Sequence, residues 1–172
     1  MLLENALALV REVPDFPDQG VLFRDLTPLL ADGEAFRAVV EALGQDIPAD
    51  VTTVVALEAR GFLFGAALAA LRGYGVVPVR KPGKLPAVAD RVTYSLEYGT
   101  ATFELPEGAL RAGERVVVVD DVLATGGTAE AAIGLVERAG AKVAQVSVVL
   151  EIGALGGRER LGAVNLRSLL SV

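Results

Sequence analysis

The sequence predicts an α/β protein: a doubly wound, mostly parallel sheet with helices on both faces. Three observations carry that reading. Short β-branched runs alternate with segments of helical spacing along the chain. Residues 116–119 are four consecutive valines, a run that suits a strand buried on both faces, as in a parallel sheet covered by helices. The 172 residues show no repeat, low-complexity segment or linker and suit a single domain, 1–172.

The elements follow in order. Residues 3–13 have helical spacing, and 35–43 form a second helix. A strand at 52–57 is followed by an alanine-rich helix at 62–71 and a short strand at 75–79. Residues 92–105 read as two short strands with polar residues and Gly99 between them. A strand at 115–120, a helix at 128–139 stopped by Gly140, and a strand at 142–150 complete the pattern.

Composition excludes several chemistries. Cysteine and histidine are both absent, which removes thiol nucleophiles, disulfides, Ser-His-Asp triads and the usual zinc sites. Proton transfer then falls to Asp, Glu, Tyr, Lys or the substrate. A net charge of −6 without a Lys/Arg run argues against nucleic acid. Hydrophobic residues reach 52% and mean hydropathy is +0.48. Even so, residues 61–79 are broken by Arg72, Gly73 and Gly75, so no apolar span of about 20 residues exists. Glu4 stands where a secretory signal needs a basic start. The expectation is a cytoplasmic protein with no membrane partner.

The stretch "VVVVDDVLATGGT" (116–128) concentrates the chemistry. Asp120 and Asp121 end a buried strand, and ligands of such sheets bind beyond the strands' carboxyl ends. The loop after them leads into a helix N-terminus, where free N–H groups and the helix dipole favour an anion. Gly126 and Gly127 let backbone approach a phosphate, and Thr125 and Thr128 offer hydroxyls. The carboxylates then accept hydrogen bonds from hydroxyls nearby or hold a hydrated Mg²⁺. Phosphate with vicinal hydroxyls describes a ribose 5-phosphate. A Walker-type loop and a Gly-x-Gly-x-x-Gly fingerprint are both absent.

This stretch resembles the 5-phosphoribosyl 1-pyrophosphate (PRPP) signature of the type I phosphoribosyltransferase family. Four further stretches, "DFPDQGVLFRDLTPLL" (15–30), "EARGFLFG" (58–65), "RKPGKLP" (80–86) and "YSLEYG" (94–99), resemble the adenine branch of that family over nearly the whole chain. The resemblance implies a small base-binding hood over about 1–33, a flexible lid over about 88–105, and a homodimer. It implies formation of AMP and pyrophosphate from adenine and PRPP with Mg²⁺. Asp120, Asp121, Ala124, Thr125, Gly126, Gly127 and Thr128 would hold the ribose 5-phosphate, with Mg²⁺ met by Asp120 and Asp121 through water. Arg60, Arg80, Lys81 and Lys84 would meet the departing pyrophosphate. Leu22, Phe23, Arg24 and Ile152 would form the adenine pocket. Glu97 would handle the purine proton and Tyr98 would pack over the site, while Glu104 at the far end of the lid would have no role. The segments "AVADRV" and "GALGG" match the family only loosely. Two alternatives stay open: a phosphoribosyltransferase for another base, and a non-catalytic nucleotide-sensing module of the same fold.

Overall fold

Four parallel pairings build the central sheet. The computed structural model describes residues 1–96 and 99–172, which form two compact units, Met1–Ala42 and Leu43–Val172.

In the second unit, strands β3 (Thr53–Leu57), β4 (Gly75–Val79), β7 (Arg115–Leu123), β8 (Lys142–Glu151) and β9 (Leu166–Ser171) line up in the order β4-β3-β7-β8-β9, all parallel. Helix α4 (Gly61–Arg72) covers one face: a Cβ on Gly65 would lie 2.6 Å from Ala56 Cβ and 3.3 Å from Val54 Cγ1, so helix and strand touch where no side chain fits. Helix α5 (Gly127–Arg138) covers the other face, its Ala132, Leu135 and Val136 packing with Val116, Val118, Val146 and Val148. The unbroken valines therefore serve both faces, as expected for a doubly wound sheet.

The expected pair of strands at 92–105 is an antiparallel hairpin, β5 (Val88–Ser95) with β6 (Thr100–Pro106). Its base is anchored: Phe103 and Leu105 are each 1% exposed, and Arg80 and Glu104 exchange backbone hydrogen bonds at 3.0 and 2.7 Å. Glu104 is itself buried with its carboxylate 3.5 Å from Arg91, so it is no indifferent neighbour.

β7 runs three residues past Asp120, because Val122 and Leu123 continue the ladder against Leu150 and Glu151. After β8 come a 3₁₀ turn, Gly153–Leu155, the helix α6 (Gly157–Leu161) and β9, none of them expected from the sequence.

The first unit departs further from expectation. The helix expected over 3–13 stops after α1 (Leu3–Leu7), and the chain extends as β1 (Arg11–Pro14). Val13 precedes a proline, which disfavours helical backbone there. β1 pairs antiparallel with β2 (Leu22–Asp25), and the charges sit directly opposite: Arg11 faces Asp25, and Glu12 faces Arg24. Such cross-strand pairs stabilise a two-stranded ladder. Helices α2 (Thr27–Ala31) and α3 (Gly33–Leu43) follow. Asp32 Oδ1 caps α3 by accepting from Glu34 and Ala35 N–H at 3.0 and 2.9 Å.

Candidate active site

The carboxyl ends of β3, β4 and β7 supply the charged groups of the site. Asp121 is 7% exposed and its Oδ2 lies 2.6 Å from Arg60 Nε, at the entrance to α4. Asp120 is half-buried, and its Oδ1 accepts from the Asp121 N–H at 2.8 Å. Burial and the adjacent Asp121 charge push the Asp120 pKa well above its ordinary value, with Arg60 opposing the shift. A Cβ on Gly61 would lie 2.9 Å from Asp120 Oδ1, so glycine is what lets α4 start against this carboxylate.

The loop from β7 to α5 curls at Gly126, whose φ of +83° is a left-handed conformation that glycine adopts without strain. Leu123, Ala124, Thr125, Gly126 and Thr128 line a cavity of about 340 Å³ together with Asp120, Leu96 and Leu155. The helix starts at Gly127, one residue earlier than expected. Packing gives glycine at 127 a reason that the sequence did not show. A Cβ there would lie 3.1 Å from Ser95 O and 3.3 Å from Arg160 Nη1, so it would press on the hairpin and on α6.

A second cavity of about 300 Å³ shares Asp120, Thr128 and Leu96 with the first and adds Glu58, Arg60, Lys81, Tyr94, Asp121 and neighbours. Two of its ionisable residues have no role assigned from the sequence. Glu58, directly after β3, gathers the cationic loop: it accepts from the Lys81 N–H at 2.7 Å, from Lys84 Nζ, and lies 3.5 Å from Arg80 Nε. Burial opposes its charge, but the hydrogen bonds from Lys84 and Lys81 and the charges of Lys84 and Arg80 outweigh it, and its pKa falls below the ordinary value. The glutamate in "EARG" was the only available signal. Arg80 also lies over the Phe62 ring, 5.7 Å from its centroid. Tyr94 hydrogen-bonds Thr128; burial raises its pKa, and Asp120 adds to the shift.

The structure thus brings Asp120, Asp121, Arg60, Lys81 and the 124–128 loop around two adjoining cavities, with Arg80 and Lys84 held at the rim by Glu58. Glu97 and Tyr98 lie outside the described residues. Ile152 donates its N–H to Leu123 O at 2.9 Å, and Leu155, three residues on, lines the larger cavity. In the first unit, Leu22 is 45% exposed, the Phe23 ring meets Phe16 edge-on at 5.1 Å, and Arg24 pairs with Glu12. Among the described residues no group of three or more acidic, His or Cys side chains is arranged to hold a metal, and no helix is long and apolar enough to cross a membrane.

Comparison with known proteins bears on this geometry. The family model described as "Phosphoribosyl transferase domain" matches residues 29–170. An adenine phosphoribosyltransferase of Saccharopolyspora erythraea is 62% identical over 169 residues, which covers 98% of this chain and 92% of the relative. One from Salinispora tropica is 57% identical, covering 98% and 90% respectively. Among solved structures, the adenine phosphoribosyltransferase of Thermoanaerobacter pseudethanolicus superposes with a TM-score of 0.94 at 46% identity over 99% of each chain. That of Saccharomyces cerevisiae, solved with an imino-altritol bisphosphate and adenine, gives 0.92 at 39% identity over 98% of each.

Proposed function

Because this chain belongs to the phosphoribosyltransferase family, we propose that its two adjoining cavities serve one reaction, the displacement of pyrophosphate from PRPP by adenine. The enzyme makes AMP and pyrophosphate from adenine and PRPP. The relatives' activity stands against a different base and against a non-catalytic sensing module. The observation that carries the mechanism is the meeting of the two cavities at Asp120, with the glycine loop on one side and Arg60 and Lys81 on the other.

The 124–128 loop takes the 5′-phosphate on backbone N–H groups at the start of α5. Asp120 and Asp121 accept hydrogen bonds from the ribose hydroxyls. Arg60 and Lys81 face the leaving pyrophosphate, with Arg80 and Lys84 adding positive field from the Glu58 cluster; cations aimed at developing negative charge lower the barrier. The anomeric carbon gains cation character as the C–O bond to pyrophosphate breaks and the purine nitrogen bonds. Glu97 exchanges the purine proton, and Tyr98 and the hairpin tip keep water from the reacting carbon. Leu22, Phe23, Arg24 and Ile152 are assigned to adenine on the motif "GVLFRD" and the resemblance that it carries.

Mg²⁺ fits this donor set as a guest of the substrate. One oxygen of Asp120 already accepts the Asp121 N–H and one of Asp121 meets Arg60, so the pair suits a hydrated ion carried by PRPP better than a protein-held one. When bound, the ion would offset charge on the diphosphate.

A second copy of the chain is the proposed partner. Leu63 and Leu71 on α4 are 51% and 49% exposed, and Val76 on the edge strand β4 is 48% exposed. α4 carries no charged residue before Arg72. These side chains are the surface that we assign to the contact between copies. The proposed location is the cytoplasm, since phosphorylated substrates do not cross membranes unaided. We assign the two compact units to one phosphoribosyltransferase domain.

The test is incubation with PRPP, Mg²⁺ and each of adenine, hypoxanthine, guanine, xanthine, uracil and orotate, assaying nucleotide and pyrophosphate. AMP from adenine with little product from the 6-oxopurines is expected, because a pocket built for one hydrogen-bonding edge rejects the other by about 10⁴-fold. Comparable turnover of hypoxanthine would refute the base assignment.

A further inference from the structure

A five-residue helix that starts at the second of two glycines has little stability of its own. α6 is such a helix, within "GGRERL" (156–161), and two ion pairs tie it down. Arg158 grips Glu151 at the end of β8 with a fork, Nε to Oε1 at 2.8 Å and Nη2 to Oε2 at 2.6 Å. Glu151 is 5% exposed, and its Oε2 also accepts from Ser168 Oγ of β9 at 2.7 Å. Two residues on, Arg160 Nε donates to Glu130 Oε2 at 2.8 Å, in the first turn of α5. α6 is therefore bound at once to the end of the sheet and to the helix that follows the phosphate loop.

Gly157 stands between the two ties. A Cβ there would run into Ala124 O and would lie 2.9 Å from Leu123 Cγ and 3.2 Å from Gly126 N. Conversely, a Cβ on Gly126 would lie 2.9 Å from Gly157 O. The start of α6 is thus in direct backbone contact with residues 123–126, the same residues that line the larger cavity. Arg158 and Glu151 do not line it.

We propose that the Arg158–Glu151 ion pair is a positioning device: from outside the cavity it holds α6 as a brace that keeps the 123–127 loop in its phosphate-binding shape. Glycine loops have no side chains to fix their own conformation, so the shape comes from what they lie against. A planar guanidinium fork on a carboxylate sets distance and orientation together, which an apolar contact does not. The inference rests on the reading that this loop takes the 5′-phosphate of PRPP and AMP.

The loop holds that phosphate in the ground state and in the transition state alike. Losing the brace then weakens binding uniformly, raising KM without lowering kcat. Adenine makes no use of the phosphate contacts, so its KM is the internal control.

The experiment compares the full-length wild type with Arg158→Met, Glu151→Gln, their double variant and Arg158→Lys. It measures KM for PRPP, KM for adenine, kcat, and the Kd of AMP by calorimetry, each below that variant's Tm. Both single variants are expected to raise KM for PRPP and Kd for AMP about tenfold, the scale of losing a charged hydrogen-bonded pair. The kcat and the KM for adenine should stay within about twofold. The double variant should be no worse than the weaker single one, because the two residues act as one unit. Arg158→Lys should recover part of the loss. Lowered Tm with unchanged PRPP and AMP affinity would make the pair a stability element only and overturn the brace, as would a collapse of kcat at unchanged KM. If Arg158→Met does not fold, Ser168→Ala decides: a twofold to threefold rise, about 0.4–0.6 kcal/mol, supports the brace, and no change overturns it. A wild type that neither turns over adenine nor binds AMP would overturn the functional reading itself, whereas an active wild type with unaffected variants would overturn only the brace.

Discussion

Arg60 Nε stands 2.6 Å from Asp121 Oδ2, joining the entrance of α4 to the strand that carries the adjacent pair Asp120 and Asp121. The carboxylate is nearly buried and the guanidinium 43% exposed, so Arg60 reaches the cavity while anchored at its base. Arg60→Ala should lower kcat/KM by about 10²–10³, the scale of removing one donor aimed at developing charge. Asp121→Asn should weaken PRPP and AMP binding and leave Arg60 less well placed, so the double variant should lose less than the two single losses combined. Strictly additive losses in steady-state kinetics would show that the contact has no functional coupling.

Gly126→Ala tests the loop from within. The left-handed backbone alone costs a non-glycine residue about 1–2 kcal/mol, and the new methyl would meet Gly157 O at 2.9 Å. Weaker AMP binding together with a Tm lowered by several degrees is expected. AMP affinity and melting temperature equal to wild type would place the tight contact elsewhere.

Glu97→Gln should lower kcat by about 10²–10⁴, the usual cost of losing a general acid or base, with AMP affinity little changed. Histidine is absent from the chain, which leaves few groups able to exchange a proton with a purine. Near-normal turnover would give the proton to water or to another group. Glu104→Gln is not a silent control: it removes a buried partner of Arg91 and should lower Tm.

Acid should unfold this protein partly through Glu58 and Glu151. Both have pKa values below the ordinary 4.5; for Glu151 the Arg158 hydrogen bonds are the leading cause. For a carboxylate with a lowered folded-state pKa, the contribution is complete above the unfolded value and disappears as pH falls through the folded one. Stability from these groups is therefore full at pH 7 and lost below about pH 4.5. Glu151→Gln should lower Tm at pH 7 and flatten its fall as the pH drops below about 4.5. Parallel Tm curves for variant and wild type over that range would contradict this.

A charge on the apolar face of α4 should separate the proposed dimer. Leu63→Glu and Leu71→Glu should each reduce the mass measured by light scattering from two chains to one. A wild type that is monomeric and fully active would end the proposal.

Some of this was readable along the chain because it is contiguous. The valine runs, the helices at α4 and α5, and the glycine loop between β7 and α5 each occupy one unbroken stretch, so local pattern and turn chemistry are enough to find them. The two strands expected at 92–105 were legible for the same reason, through Gly99 between them, although the first begins four residues earlier, at Val88. β1 and β2 were missed because their strand character depends on pairing: Arg11 needs Asp25 and Glu12 needs Arg24, partners more than ten residues away. Helical spacing over 3–13 gave no hint of that exchange.

By itself the sequence determined the doubly wound class, the strand that carries two adjacent carboxylates near its carboxyl end and the glycine loop beyond it, since apolar periodicity and glycine placement act over a few residues. Only the tertiary structure decided that Glu58 gathers Arg80, Lys81 and Lys84, that a side chain at Gly127 would press on Ser95 and Arg160, and that β9 closes the sheet beside β8. Each of these is set by an atom brought close by folding from a distant part of the chain, and ion pairs, close contacts and strand pairing have no strength until that partner arrives.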